Sequence, residues 1–284
     1  MCSKRKTDLV QDKEIVSLYI SGYSKEMLKH KYGVSQTVID RVIRESGIRP
    51  RDNSHKKRYY SINEYYFDEI NTQNKAYILG LLYSDGTNYR PCNLIKIALQ
   101  DRDASILDSI RVELCSNHPI KIDKLSLKNP NWRDSHIYTI VNKHMSEQLE
   151  KLGVVQKKSL VLTFPQWLPN NLVPHFLRGY LDGDGHIETG KAMFVTLAGT
   201  ENFCHDVKTY LSDNYSIESS IYNTTNKDSV TKLLNICGMK NIKTFLDLLY
   251  KDAILYIPRK YEAYIDICNR ISNSPAKWRL VGVT

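Results

Sequence analysis

The chain reads as an α+β protein made of two like halves behind a small all-α head, on three observations. From Lys75 onward one order of elements appears twice: an apolar helix, alternating strands joined by short links, and further helices. Each round opens on a related nonapeptide, Ile78–Gly86 (ILGLLYSDG) and Leu177–Gly185 (LRGYLDGDG), whose closing aspartates Asp85 and Asp184 lie 99 residues apart. Ahead of both, residues 12–48 hold three short helical patterns separated by glycines. A length of 284 residues with 42% hydrophobic content has room for two or three units with cores.

In the head, helices are expected over Asp12–Ser21, Ser24–Tyr32 and Ser35–Ser46, each opening on a residue that accepts hydrogen bonds from first-turn N–H groups. Gly22, Gly33 and Gly47 stand where helices stop. Ile15, Leu18 and Tyr19, then Met27 and Leu28, then Val34, Val38, Val42 and Ile43 give each helix one apolar stripe. The tight link Tyr32-Gly33-Val34-Ser35 resembles the turn of a helix-turn-helix domain, whose second helix lies in the DNA major groove. By that likeness the third helix is the reader, with Ser35, Gln36, Thr37, Asp40, Arg41 and Arg44 outward. The competing reading is a plain helical bundle with a solvated charged face.

Domains are accordingly expected at 1–50 (helix-turn-helix), 51–74 (linker), 75–170 (first half), 171–272 (second half) and 273–284 (tail). The linker carries Pro50 before it, several tyrosines and a basic cluster, Lys56, Lys57 and Arg58, able to track a sugar-phosphate backbone. In the first half the expected order is a helix (Ala76–Ser84), a turn-rich TNYRPC, a strand (93–100) and a helix (Ala104–Cys115). Two strand-like runs (119–127 and 136–141) and a helix near His144–Leu152 complete it. The second half repeats this with a helix over Pro174–Gly183, a strand at 191–198, a helix over Glu201–Leu211, two strands and a helix over Asn241–Leu249. Connections this short exclude parallel crossovers, so each half should be an antiparallel sheet with helices on one face.

Forty Lys and Arg against 31 Asp and Glu leave a net charge of +9, which suits a partner with regularly spaced negative charge, above all nucleic acid. No apolar run reaches the ~18 residues of a membrane span, and no apolar segment follows the basic start, so a soluble cytoplasmic protein is expected, with no membrane partner. Six scattered cysteines without a C-x-x-C pair read as reduced thiols.

The repeated stretch carries the chemistry. Gly80 and Ser84, and again Gly179 and Gly183, are spaced i, i+4, so each helix has a strip with almost no side chain along which two backbones could approach. Asp85 and Asp184 end helices where the peptide dipoles already concentrate negative charge. If the strips meet, two carboxylates come together as well, which raises their pKa values or calls for a divalent cation. Oxygen ligands with room for water and phosphate suit Mg²⁺. Asp182-Gly183-Asp184 does not open a calcium loop, because Ile187 and Met193 stand where Gly and Glu are required. His186 reads as a surface histidine.

The two nonapeptides resemble the LAGLIDADG motif, and their doubling is similar to the single-chain LAGLIDADG homing endonucleases; the resemblance covers residues 60–272. It implies two half-domains whose motif helices pack at a pseudo-two-fold axis, with sheets forming a saddle on double-stranded DNA. It further implies a metal-dependent, site-specific double-strand endonuclease in which Asp85 and Asp184 are catalytic carboxylates holding Mg²⁺ or another divalent cation such as Mn²⁺. The family's basic pocket residue falls on Lys158 and Lys260, and its glutamine at the end of the second strand on Gln100. In the second half Ala198 or Gly199 takes that place, so the two sites are expected to differ. Tyr83 replaces the sixth-position acid that Asp182 keeps, with little loss expected. Saddle contacts to DNA would come from Thr87, Asn88, Arg90, Lys96, Lys121, Lys124, Lys128, Arg133, Glu188 and Lys191. A monomer is expected, since one chain holds both motifs. The alternatives are a non-cleaving DNA-binding regulator and a splicing maturase acting on intron RNA.

Overall fold

The computed structural model describes residues 8–20, 23, 25–48, 60–156, 158–224 and 229–273, in two compact units, 1–59 and 60–284. The first unit holds three helices, α1 (Leu9–Ile20), α2 (Lys25–Tyr32) and α3 (Gln36–Glu45). Helix α1 begins ahead of Asp12 because Asp8 is the cap: its Oδ1 accepts from the N–H groups of Val10 (3.0 Å) and Gln11 (2.7 Å). Ile15, Tyr19, Leu28, Ile39, Val42 and Ile43 form the core. Met27 is exposed and Val38 only half-buried, contrary to expectation; Ile39 takes the inner position, three and four residues before Val42 and Ile43. Gly33, at φ +63, makes the α2–α3 turn, and Lys25 pairs with Asp40 across it at 2.5 Å.

In the second unit the first half runs α4 (Gln73–Ser84), β1 (Gly86–Tyr89), β2 (Leu94–Gln100), α5 (Ser105–Glu113), β3 (Ile120–Asp123), β4 (Ser135–Val141), α6 (Lys143–Lys151) and a short α7 (Lys158–Val161). The second runs α8 (Val173–Asp184), β5 (Gly185–Glu188), β6 (Phe194–Gly199), α9 (Glu201–Tyr215), β7 (Ser220–Asn223), β8 (Lys232–Cys237), α10 (Met239–Tyr250) and α11 (Pro258–Ser272). The sheets have the same antiparallel order, β1-β2-β4-β3 and β5-β6-β8-β7. This is the expected α+β architecture of two half-domains.

Alternation sets the faces. Ile95, Ile97, Leu99, Tyr138 and Ile140 of the first sheet, and Val195, Leu197, Leu234 and Ile236 of the second, point into one core shared by both halves. The expectation misses β1 and β5, four residues each, which sit among turn-forming residues and are held by pairing with β2 and β6. It also misses α11, which opens with Pro258 at a first-turn position. Residues 60–72 are not a linker: Tyr66, Phe67 and Ile70 are buried in the core, and the Tyr66 hydroxyl donates to Glu113 at 3.0 Å. Their aromatic surface is large enough to be worth burying against α5. Lys57 and Arg58 lie outside the described residues. Cys92, Cys115, Cys204, Cys237 and Cys268 are free thiols, and no described helix is long and apolar enough to cross a membrane.

Candidate active site

Helix α4 is buried all round from Ala76 to Ser84, and its chief partner is α8. The contact is reciprocal. A Cβ on Gly80 would lie 2.0 Å from the Phe176 carbonyl oxygen, and one on Gly179 would lie 2.0 Å from that of Tyr77. Phe176 and Tyr77 are themselves equivalent positions of the two nonapeptide helices, so the packing obeys a pseudo-two-fold axis. One layer on, the symmetry ends: the Ser84 hydroxyl fills the space beside Gly183, where a Cβ would be 2.0 Å away. The Ser84 hydroxyl donates to the Leu81 carbonyl at 3.0 Å.

This packing delivers Asp85, capping α4, and Asp184, the last residue of α8, to the same end of the helix pair. Asp85 is half-buried, with Oδ2 against Gly183. Burial, then the neighbouring Asp184 charge, push its carboxyl up to about 6, with Lys158 pulling the other way. Asp184 is more open to solvent and is also raised by burial, against Lys158 and Lys260. Lys158 Nζ donates to the carbonyls of Leu82 (2.9 Å) and Ser84 (2.5 Å), the negative end of the α4 dipole. Lys260, 3% exposed, donates to the Gly185 carbonyl just beyond α8. Burial pushes both ammonium groups down to about 8.

Two carboxylates, the buried Lys260, the half-buried Lys158 and backbone carbonyls therefore share one end of the interface. Among the described residues no group of three or more His, Cys, Asp or Glu is placed to hold a metal. The donor set still fits Mg²⁺, which binds through one or two carboxylates and completes its shell with water and phosphate oxygens.

Asp182, expected to matter little, is a structural hub. Fully buried, it accepts from the Tyr77 hydroxyl (2.7 Å), the Tyr250 hydroxyl (2.6 Å) and the Ile257 N–H (2.7 Å). Burial raises its carboxyl to about 6 in spite of these donors. Beside it Arg178, also fully buried, donates to the carbonyls of Leu255 and Leu249, both at 2.8 Å, and lies over the Tyr77 ring. Together they fasten α8 to the α10–α11 connection. In the first half Tyr83 holds the position of Asp182 and donates to the Leu152 carbonyl. An arginine inside an apolar helix was the available signal for this network.

Gln100 stands exposed at the end of β2, opposite Ser135. Its counterpart is neither Ala198 nor Gly199. Gly86 pairs with Ile97 and Gly185 with Leu197, so the register places Thr200 there. The Thr200 hydroxyl is already committed, accepting from the Phe203 N–H (3.2 Å) and donating to the Leu162 carbonyl (2.5 Å).

Of the expected DNA contacts, Thr87, Lys96 and Lys121 lie on the open face of the first sheet, and Lys124, Lys128 and Arg133 on the exposed β3–β4 connection. Glu188 is on the open face of the second sheet next to His186 (3.4 Å), and Lys191 is exposed in the β5–β6 link. Two expected contacts are corrected. Asn88 is fully buried, its amide donating to the carbonyls of Ser146 (2.9 Å) and Val154 (3.0 Å) while its oxygen accepts from the Ser146 hydroxyl (2.6 Å). Strand parity turns it inward. Arg90 is turned to α6, paired with Glu150 (2.9 Å) and Glu147 (3.4 Å). In the head Thr37 and Arg44 are exposed, and Gln36 and Arg41 half-buried.

Residues 172–250 match a family model described as a LAGLIDADG-like domain. The match runs from the start of α8 to the end of α10 and includes Gly179, Gly183 and Asp184. A probable translation initiation factor IF-2 of Methanocaldococcus jannaschii is 25% identical over 209 residues, 66% of this chain and 16% of that protein, so the chain spans about a sixth of the length of that relative. Solved structures that the chain resembles include full-length DUF199/WhiA from Thermatoga maritima, at 18% identity and a TM-score of 0.48 over 77% of this chain and 68% of that one. The homing endonuclease I-WcaI bound to its DNA recognition sequence is 14% identical, at a TM-score of 0.47 over 77% of this chain and 95% of that one.

Proposed function

We propose that this chain is a site-specific double-strand DNA endonuclease that hydrolyses phosphodiesters at two sites built on Asp85 and Asp184. The observation that carries the reading is their convergence at one end of a glycine-packed helix pair, each with a lysine bonded to the carbonyls at its helix end. Asp85 and Asp184 would hold Mg²⁺ or Mn²⁺, which when bound supplies a polarised phosphate and a water of lowered pKa. Lys158 and Lys260, near 8, are charged at neutral pH and can offset charge developing on the phosphate. At higher pH their neutral forms can take a proton from water. The open sheet faces and exposed residues of α3 would contact double-stranded DNA, with one chain acting as a monomer.

A second reading, a DNA-binding regulator or intron-RNA maturase that does not cut, is favoured by one observation. Thr200, in the place of Gln100, has its hydroxyl tied up in capping α9. The deciding experiment offers a pool of randomised duplexes to the full chain with Mg²⁺ or Mn²⁺ and sequences the cleaved ends, then repeats it with Asp85→Asn and Asp184→Asn. Recurrent ends lost in both variants support the endonuclease. Bound duplexes recovered uncut, or cleavage unchanged in both variants, would refute it.

A further inference from the structure

The two halves differ at one link beside the site. Strand pairing makes Ile97 and Leu197 equivalent, 100 residues apart. The next helices carry matching buried positions, Ile106, Leu107, Ile110 and Leu114 against Phe203, Cys204, Val207 and Leu211, but these lie 97 apart. The first half thus has three extra residues between strand and helix. They coincide with a single 3-10 turn, Asp101–Asp103, for which the second half has no counterpart between Thr200 and α9.

That turn reaches across the interface. Asp103, though charged, is 6% exposed, and both its carboxylate oxygens are taken by one guanidinium: Arg259 Nε to Oδ1 at 2.6 Å and Arg259 Nη2 to Oδ2 at 2.8 Å. A two-pronged pair of this kind fixes orientation as well as distance. Arg259 belongs to the second half and immediately precedes Lys260 in the first turn of α11. The pair is therefore an ionic fastening between the Lys260 turn and the opposite half. Among the described residues no ion pair anchors the turn that carries Lys158, whose Nζ donates to two backbone carbonyls of α4.

We propose that Asp103 and Arg259 are positioning residues for Lys260, and that the inserted turn makes the two cleavage sites unequal. The proposal rests on the endonuclease reading above. Without the clamp the first turn of α11 is free to shift and Lys260 leaves the Gly185 carbonyl, while Lys158 keeps its partners. An ångström of misplacement in such a group costs about ten- to a hundredfold in rate.

The test compares the full chain with Asp103→Asn and Arg259→Lys on a supercoiled plasmid carrying a duplex selected from the randomised pool, with Mg²⁺, and sequences the ends of each strand separately. Both variants should accumulate nicked circles, with nicking of one strand reduced about tenfold and that of the other changed less than twofold. A merely structural role would slow both strands together and leave their ratio unchanged, and that result overturns the proposal. Arg259→Lys keeps the charge at a partly exposed position, so it decides the question if Asp103→Asn does not fold. If the unaltered protein binds the pool and cuts nothing, the endonuclease reading falls and the clamp's role with it. Cutting with an unchanged strand ratio in the variants removes the clamp alone.

Discussion

Replacing Gly179 with alanine tests the geometry on which the site depends. The new Cβ would stand 2.0 Å from the Tyr77 oxygen, 2.8 Å from the Leu81 nitrogen and 2.9 Å from the Tyr77 carbonyl carbon, all backbone atoms of the facing helix. No side chain can swing away, so the helices must part by about 1.3 Å to restore a carbon–oxygen contact of roughly 3.3 Å. Overpacking of this kind costs about 1–3 kcal/mol, and the upper end applies where only backbone can yield. Alanine recovers ~1 kcal/mol of helix propensity. The net loss of about 2 kcal/mol corresponds to a fall in Tm of about 4–8 °C for a unit of this size. Thermal unfolding followed by circular dichroism measures it, with Gly190→Ala as control, because its Cβ would meet only the end of the Glu188 side chain at 2.7 Å. Gly80→Ala should behave like Gly179→Ala. The double variant should lose less than the sum, since helices already parted accept the second methyl more easily. A Gly179→Ala protein as stable as the unaltered one would refute the close approach.

Asp182→Ala strands two buried hydroxyls and one N–H, at about 1–3 kcal/mol each, so its urea midpoint should drop by the equivalent of roughly 3–9 kcal/mol. A loss below about 1 kcal/mol would mean the hub is dispensable. Asn88→Ala should destabilise by about 2–4 kcal/mol through Ser146 and Val154. Any duplex binding, measured by gel shift on the folded protein, should stay unchanged; a specific loss of binding would restore Asn88 to the proposed DNA surface. The pH dependence follows from sign. Asp85 and Asp182 are raised from 3.8 to about 6, so ionising them costs the folded state, and stability in the absence of metal should fall as pH rises from about 4 through about 6. Lys158 and Lys260, lowered from 10.5 to about 8, should return stability as pH rises between those values. Scanning Tm across this range checks both limbs, and added Mg²⁺ should raise Tm at pH 7 but not at pH 4.5. A Tm that rises from pH 4 to 6 would contradict the raised carboxyls.

Much of the architecture is legible in the residues because its signals are local. The doubled nonapeptide, the spacing of Gly80 and Ser84 with Gly179 and Gly183, and the alternation of β2 and β4 depend only on chain periodicity, and so do the α+β class and the two half-domains. Asp85 and Asp184 stand out for the same reason, as charges at the unfavourable end of an apolar helix. Four-residue strands such as β1 and β5 carry too little periodicity to register, and their existence is decided by the strands they pair with. Whether Asn88 faces the open side of the sheet or the core turns on strand parity, and a shift of one residue reverses it. Thr200, rather than Ala198 or Gly199, is the counterpart of Gln100 only because register, not alignment by eye, sets equivalence.

By itself the sequence determined that two like halves exist, that small residues line each repeated helix, and that each such helix ends in an aspartate. Only the tertiary structure decided that Phe176 and Tyr77 offer their carbonyls to the opposing glycines, that Asp182 is a buried acceptor for Tyr77, Tyr250 and Ile257, and that Asp103 crosses the interface to Arg259. Those partners lie 75 to 156 residues from one another in the bonds Asp182–Ile257 and Asp103–Arg259, and pairing at such range is set by packing and burial, which no local pattern encodes.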